Sequence, residues 1–290
     1  MPPNTTSCTS TRLIMWWTGG YAARFLSVFA ALSFSRFDGE SQPTHLPPTL
    51  TVSALRQNIM KDVNNMNKLV PQALLSYLIG AVILGLLLFV PAWTLNYWQA
   101  WVFILVFTTS VNAIGVYLSI KDPVLLERRK NVGPAAEQNV AQRIIMSLAM
   151  ISILALLLYC ALDHRLAWSP VPAYVSLIGD LLVALGLLFT FLVFRENSFG
   201  GSTVQTFDDQ KVISTGPYAI VRHPMYVGVL IMMTGVPLAL GSWNGLAFLA
   251  IVLPALVWRI LDEEKLLKKD LSGYIQYTQK VRYRLVPYIW

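Results

Sequence analysis

Charge is scarce in this sequence. Asp, Glu, Lys and Arg make up 13% of its 290 residues, against roughly 25% in ordinary soluble chains. Apolar side chains make up 55%, which argues against a soluble domain and for a membrane protein. Cysteine is almost missing: Cys8 and Cys160 form no C-x-x-C pair. That argues against a disulfide scaffold or a thiolate zinc site. Cys160 lies in an apolar stretch, where it packs as a small hydrophobe. His45, His164 and His223 are too scattered for an H-E-x-x-H site, so no metal is expected. G-x-G-x-x-G and G-x-x-x-x-G-K-[ST] are also absent, which removes support for a dinucleotide fold or a P-loop. No internal repeat is found.

Long uncharged runs are what the sequence does have. Ala73–Trp93 holds no charge and would extend about 30 Å as a helix, one hydrocarbon core. Trp98–Ile120, Ile144–Leu162 and Val171–Phe194 follow, the last with Asp180 at mid-span. From Met225 to Trp258 the chain is again uncharged, too long a run for one span of ordinary tilt. Pro237 and the run Gly241-Ser-Trp-Asn-Gly245 interrupt it with turn chemistry. Two helices joined by a tight hairpin are expected there. The fold class is thus an all-α integral membrane protein of about six transmembrane helices, ending in a helical hairpin, with a pocket expected on the cytoplasmic side.

Three regions follow. Residues 1–67, rich in Ser, Thr, Asn and Pro, read as a leader or a poorly ordered extension. Residues 68–194 carry helices one to four, and residues 195–290 carry the candidate chemistry. The net charge of +7 does not imply nucleic acid, because the basic residues lie between apolar spans rather than along one stripe. With the N-terminal segment inside, all but Arg165 of the 22 Lys and Arg fall in segments on the same side. Such asymmetry predicts that both termini and the site are cytoplasmic, at the endoplasmic reticulum in a eukaryote or the inner membrane in a bacterium.

Two polar clusters stand out. The first is the run from Arg195 to Tyr226, about 30 residues without an obvious span, a length usual for functional or disordered loops. It ends in Gly216 to Gly228, G-P-Y-A-I-V-R-H-P-M-Y-V-G. Pro217 and Pro224 fix the chain, while Gly216 and Gly228 allow close approach. Arg222, His223 and Tyr226 read singly as interfacial anchors; together they suggest a site. The second cluster is Arg259-Ile-Leu-Asp-Glu-Glu264, where Arg259 and Glu263 share a helix face. They form either an exposed ion pair or two ligand contacts. The hairpin returns Arg259 to the face of His223, so the clusters can meet. Leu267, Leu271, Tyr274, Thr278, Val281 and Leu285 suggest an amphipathic helix on the membrane surface, broken at Gly273, which could also cap the site. Asp180 is expected to hydrogen-bond within the bundle, for instance with Asn112.

The pattern G-P-Y-x3-R-H-P-x-Y-x-G, a membrane hairpin and then R-x3-E-E resembles the isoprenylcysteine carboxyl methyltransferase family, related to membrane phospholipid methyltransferases. The resemblance is good over residues 195–290 and loose over spans three and four. It implies S-adenosylmethionine as cofactor and a lipid-like or prenylated substrate from the bilayer. By the same resemblance Gln205, Gln210, Lys211, Val212, Ile213, Tyr218, His223, Pro224, Met225, Tyr226 and Glu263 would bind the cofactor. Arg259 would orient the substrate and act in catalysis.

A carboxylate acceptor is already ionised at pH 7 and needs no base. An amine or thiol would need one, with His223 or Glu264 as candidates. No dedicated base is visible, which favours O-methylation of a carboxylate. Two alternatives stand beside this. Membrane sterol reductases that use NADPH resemble the chain in R-H-P-x-Y-x-G and in the ending Val281 to Trp290, though not in R-x3-E-E. A non-catalytic membrane protein retaining the fold is the third.

Overall fold

A computed structural model describes residues 52–290 except 131, 138 and 207–209, and gives side chains from residue 69, apart from Lys130. Residues 1–51, most of the expected leader, lie outside it. The described residues are helical and contain no strand. Helix α1 spans Val52–Ala92, so residues 52–67 continue the first span as helix. Then come α2 (Trp98–Lys121), α3 (Pro123–Lys130), α4 (Val140–Leu166), α5 (Ala173–Glu196), α6 (Pro224–Ala239), α7 (Leu249–Asp270) and α8 (Tyr274–Lys280).

Five of these stretches are long and apolar enough to cross a membrane: Leu69–Ala92, Trp98–Lys121, Val140–Leu166, Ala173–Glu196 and Asn244–Asp270. The protein is therefore a multi-pass membrane protein. The sixth expected crossing is α6, which has only 16 residues, about 24 Å. It is short of a full span by itself. Helix α1 shows why such helices need lipid: Leu84, Leu88 and Ala92 are buried, while Leu74, Leu78, Val82, Leu86 and Val90 form an exposed apolar stripe.

The sequence punctuates its own helices. Asn139 accepts from the Ala141 amide at 2.9 Å and starts α4. Asp122 accepts from the Leu125 amide at 2.9 Å and starts α3. Gly241 (φ 78°) turns the hairpin, as expected from Gly241 to Gly245.

Helices α5 and α6 pack antiparallel along a seam of small residues. A Cβ on Gly228 would lie 2.3 Å from Thr190 Oγ1, and one on Gly186 2.6 Å from the Met232 nitrogen. One on Gly235 would lie 2.6 Å from the Gly179 oxygen. Without side chains at these positions the two backbones come together, and dispersion replaces the missing hydrophobic drive within lipid. Helix α7 instead lies against α4 and touches α6 little.

The two ends of the bundle differ. At one, Asp163 accepts from the Ser169 amide at 2.7 Å and from the hydroxyls of Ser169 and Ser242. The Tyr97 hydroxyl donates to the Leu240 carbonyl at 2.6 Å. This clasp ties the hairpin tip to the α4–α5 turn. The opposite end gathers α3, the segment 197–223 and residues 259–290. Asp180 is buried, but its carboxylate oxygens have no hydrogen-bond partner among the described residues. The expected bond to Asn112 does not form, because the Asn112 amide donates to its own helix at the Thr108 carbonyl, 2.8 Å away.

The tail departs from its expected helix. Helix α8 stops at Lys280, and the chain then runs extended beside the loop before α6. The Arg222 and His223 amides donate to the Tyr283 and Arg284 carbonyls, each at 2.9 Å. These bonds hold the chain extended past Lys280, and Pro287 lacks the amide that would prolong a helix.

Candidate functional site

Arg259 leaves the last span with most of its donor capacity engaged. Its Nε donates to the Tyr226 hydroxyl at 3.2 Å. One terminal nitrogen reaches Glu137 at 3.0 Å and Gln142 at 2.8 Å, and the other reaches the Ser202 carbonyl at 3.0 Å. Gln142 also donates to Asp262 at 2.6 Å. Helices α4, α6 and α7 and the 197–223 segment thus meet at one guanidinium. Glu137 is buried and also accepts from the Val204 amide at 3.2 Å, which orders the loop above.

Glu263 and Glu264 diverge. Glu263 accepts from the Tyr226 hydroxyl at 2.6 Å and faces a cavity. Glu264 is 2% exposed and points away from it. Arg222 (3.2 Å), His223 (3.4 Å), Arg284 (3.1 Å) and Lys268 (3.7 Å) surround it. Burial alone would raise this carboxyl. The close His223 ring and the charges of Arg222 and Arg284 outweigh burial and hold it well below the usual range, so it is poorly suited to abstract a proton. Glu264, a candidate base from the sequence, lines neither that cavity nor the apolar one adjoining it; it joins the tail, the loop and α7. His223 lines the cavity by its own position, with Nδ1 4.0 Å from Glu263.

The cavity beside Glu263 collects most of the residues singled out in the sequence. Gln205, Gln210, Lys211, Val212 and Ile213 form one wall. Tyr218, His223, Met225, Tyr226, Arg259 and Glu263 form the other. Pro224 is behind this wall, starting α6. Tyr218 is fixed from two sides: its hydroxyl accepts from Asn197 at 2.9 Å, and its carbonyl from Tyr277 at 2.7 Å. Burial pushes its phenol up to about 12, so it stays protonated. Tyr274 and Tyr277 of α8 close the cavity, so the tail caps it, and the buried Tyr274 hydroxyl has no hydrogen-bond partner among the described residues.

A second cavity of about 170 Å³ adjoins the first. Its walls are apolar, and Met146, Met150, Met225, Met232 and Met233 are among them. It lies between α4 and α7 in front of the α5–α6 seam. Met146, Ala149, Met150, Val252 and Ala255 line it and are partly exposed on the membrane-facing surface. The two cavities share Arg129, Phe194, Gly201, Met225, Tyr226 and Arg259.

Sequence reasoning missed Glu137, Gln142 and Arg129, all in or beside the segment 121–143. Only its positive charge was legible there. A Glu between two apolar spans carries no local mark of being buried, because its partner is 122 positions away.

Residues 175–272 match the family model of phospholipid methyltransferases, which includes isoprenylcysteine carboxyl methyltransferase-like members. The match runs from α5 through α7, the elements that build the cavity, and bears out the resemblance at the level of this membrane methyltransferase family. The Delta(14)-sterol reductase of Mus musculus is 28% identical over 137 residues, 41% of this chain and 33% of that protein. The chain thus matches about a third of the length of that relative.

Proposed function

We propose that the protein is an S-adenosylmethionine-dependent methyltransferase that O-methylates a carboxylate on a lipophilic, prenylcysteine-like acceptor. The observation that carries this is the junction of a polar cavity with an apolar one at Met225, Tyr226 and Arg129. The polar cavity suits the cofactor by its donor set. Glu263 offers a negative group to a cationic ligand, Tyr226 adds an aromatic face, and the unpartnered Tyr274 hydroxyl offers a free polar contact. When bound, S-adenosylmethionine supplies a methyl group carried on a cationic sulfur.

The chain's own residues position and exclude. Tyr226 holds Glu263 and is itself held by Arg259. Tyr274 and Tyr277 keep water from above, and the α5–α6 seam keeps it from behind. A carboxylate needs no base, and this agrees with Glu264 being committed to ion pairs. The apolar cavity would receive the acceptor's chain. Its volume of about 170 Å³ is close to that of a cavity that takes one benzene-sized guest. A longer chain has to leave it between α4 and α7 into the bilayer. Methionines adapt such a wall to varied shapes. The polar end is the cytoplasmic one by the distribution of Lys and Arg.

A sterol reductase-like use of NADPH is the second reading, favoured by the mouse relative. Against it, Glu263 in the polar cavity repels phosphates, and of the cations that line it Arg222 and Arg259 are already paired with Glu264 and Glu137, which leaves Arg129 and the exposed Lys211. Methyl transfer from labelled S-adenosylmethionine to farnesylcysteine analogues and lipid extracts, with products identified by mass, tests the proposal. Calorimetry with both cofactors accompanies it. Binding of NADPH and not of S-adenosylmethionine reverses the order of the two readings.

A further inference from the structure

Arg129 is the anomaly of the site. It is 1% exposed and makes no ion pair among the described residues. Its contacts are soft ones: a terminal nitrogen lies 3.3 Å from Met225 Sδ, and the guanidinium sits 3.8 Å from the Phe194 ring centroid. Its Nε has no partner. A cation–π contact and a thioether attract a cation but do not neutralise it. A buried charge without a counter-ion is costly, and such charges are retained where they are paired or used. Burial accordingly pulls the guanidinium down to about 9, and it is still a cation at neutral pH.

Arg259 shows the contrast. It is the arginine that the motif points to, yet its guanidinium is engaged by Glu137, Gln142, Ser202 and Tyr226. Glu137 neutralises it. Of the two arginines that line both cavities, Arg129 is the one with no anion among the described residues.

We infer that Arg129 receives the carboxylate of the acceptor at the junction of the two cavities, while Arg259 is a positioning residue that fixes Tyr226 and Glu263. This rests on the methyltransferase reading given above and names the residue that recognises the acceptor's anion. The position follows from the two walls: a chain in the apolar cavity has its polar end where that cavity meets the polar one. A planar guanidinium suits a planar carboxylate. Lys211, which has no ion pair among the described residues, is exposed and lines the polar cavity alone.

The test uses the full chain in detergent, with N-acetyl-S-farnesylcysteine and its uncharged carboxamide as probes. The acid raises the melting temperature of the wild-type protein and the carboxamide does not. Arg129→Met and Arg129→Gln abolish that shift and raise the KM for the acid roughly 10- to 100-fold, the loss of one charged hydrogen-bonded contact. Their dissociation constants for S-adenosylmethionine stay within about twofold of wild type, and their unliganded melting temperatures do not fall, because the charge removed had no counter-ion among the described residues. Arg129→Lys recovers part of the acid-induced shift. Weakened cofactor binding with an unchanged acid response assigns Arg129 to the cofactor instead and overturns the inference. So does a fall in melting temperature with both ligands weakened alike, the mark of a structural arginine. Should the wild type bind no S-adenosylmethionine, the methyltransferase reading fails, and the acid-induced shift still judges Arg129.

Discussion

Glu263 and Glu264 are neighbours in sequence and should fail in opposite ways. Glu264→Gln removes a charge from a position 2% exposed. Its partners are unequal: the Arg222 and His223 side chains are 7% and 4% exposed, whereas Arg284 and Lys268 are 27% and 47% exposed. The last two are hydrated in either case and contribute little. The cost therefore comes from leaving Arg222 and His223 buried beside a neutral amide, about 3–5 kcal/mol for breaking one side of a buried pair. In a chain of this size each kcal/mol shifts the melting temperature by roughly 2–4 °C, so a fall of at least about 6 °C is expected. Glu263→Gln keeps an acceptor for the Tyr226 hydroxyl and lies at a side chain 25% exposed. Its melting temperature should move by less than about 4 °C, while S-adenosylmethionine binding weakens roughly tenfold or more for loss of a charged contact. Thermal unfolding in detergent and calorimetry read both quantities. If Glu264→Gln melts like wild type and loses the cofactor, the division of labour between the two carboxylates is refuted.

The seam between α5 and α6 predicts a sharp pair of glycine effects. Gly228→Ala places a Cβ 2.3 Å from Thr190 Oγ1, whereas Gly115→Ala meets nothing within 4 Å; the first should lose about 1–3 kcal/mol to overpacking and the second nothing, by thermal unfolding. Asp163→Asn puts an NH₂ or a weaker acceptor against the Ser169 and Ser242 hydroxyls, and about 1–3 kcal/mol should be lost with cofactor affinity unchanged in calorimetry. Arg259→Lys keeps the charge but cannot reach Tyr226, Glu137, Gln142 and Ser202 together. It should lower kcat/KM at least about tenfold, with both cofactor and acid affinities reduced because Tyr226 and the loop above lose their support.

The spans were legible because their signal is local. A charge-free run has to be helix in lipid, since no other partner exists for its amides, and the bounds agree within a few residues, as at Trp98–Lys121. The cavity wall at Tyr218, His223 and Tyr226 was legible for another reason: motif and hairpin together return Arg259 to the same end. What was not legible depends on distant partners. The tail repeat from Leu267 to Leu285 looks helical throughout, yet the amides of Arg222 and His223 take its carbonyls after Lys280. Glu264 looks as available as Glu263 until Arg284, twenty positions on, is seen folded back on it. Arg129 looks like any arginine between two spans, beside Arg128, and its burial sets it apart.

The hairpin itself explains why an apolar cavity survives in a close-packed bundle. Helix α6 is held to α5 by backbone contact at Gly186, Gly228 and Gly235. Helix α7 is held to α4 through Gln142, which bonds both Arg259 and Asp262. The clasp of Asp163 and Ser242 fixes the tip, so the two arms are tied to different neighbours and the space between them does not collapse. Ala255 faces that space. Ala255→Trp should occupy it with an indole about as large as the guest it admits, without touching Glu263 or Tyr274. Transfer to a farnesylated acid should then fall roughly tenfold or more, transfer to a short-chain thioether acid should fall less, and S-adenosylmethionine should bind as before, since uniform loss of acceptor binding appears in KM. Equal losses for long and short acceptors would mean that the chain does not lie between α4 and α7, and the cavity would need another occupant.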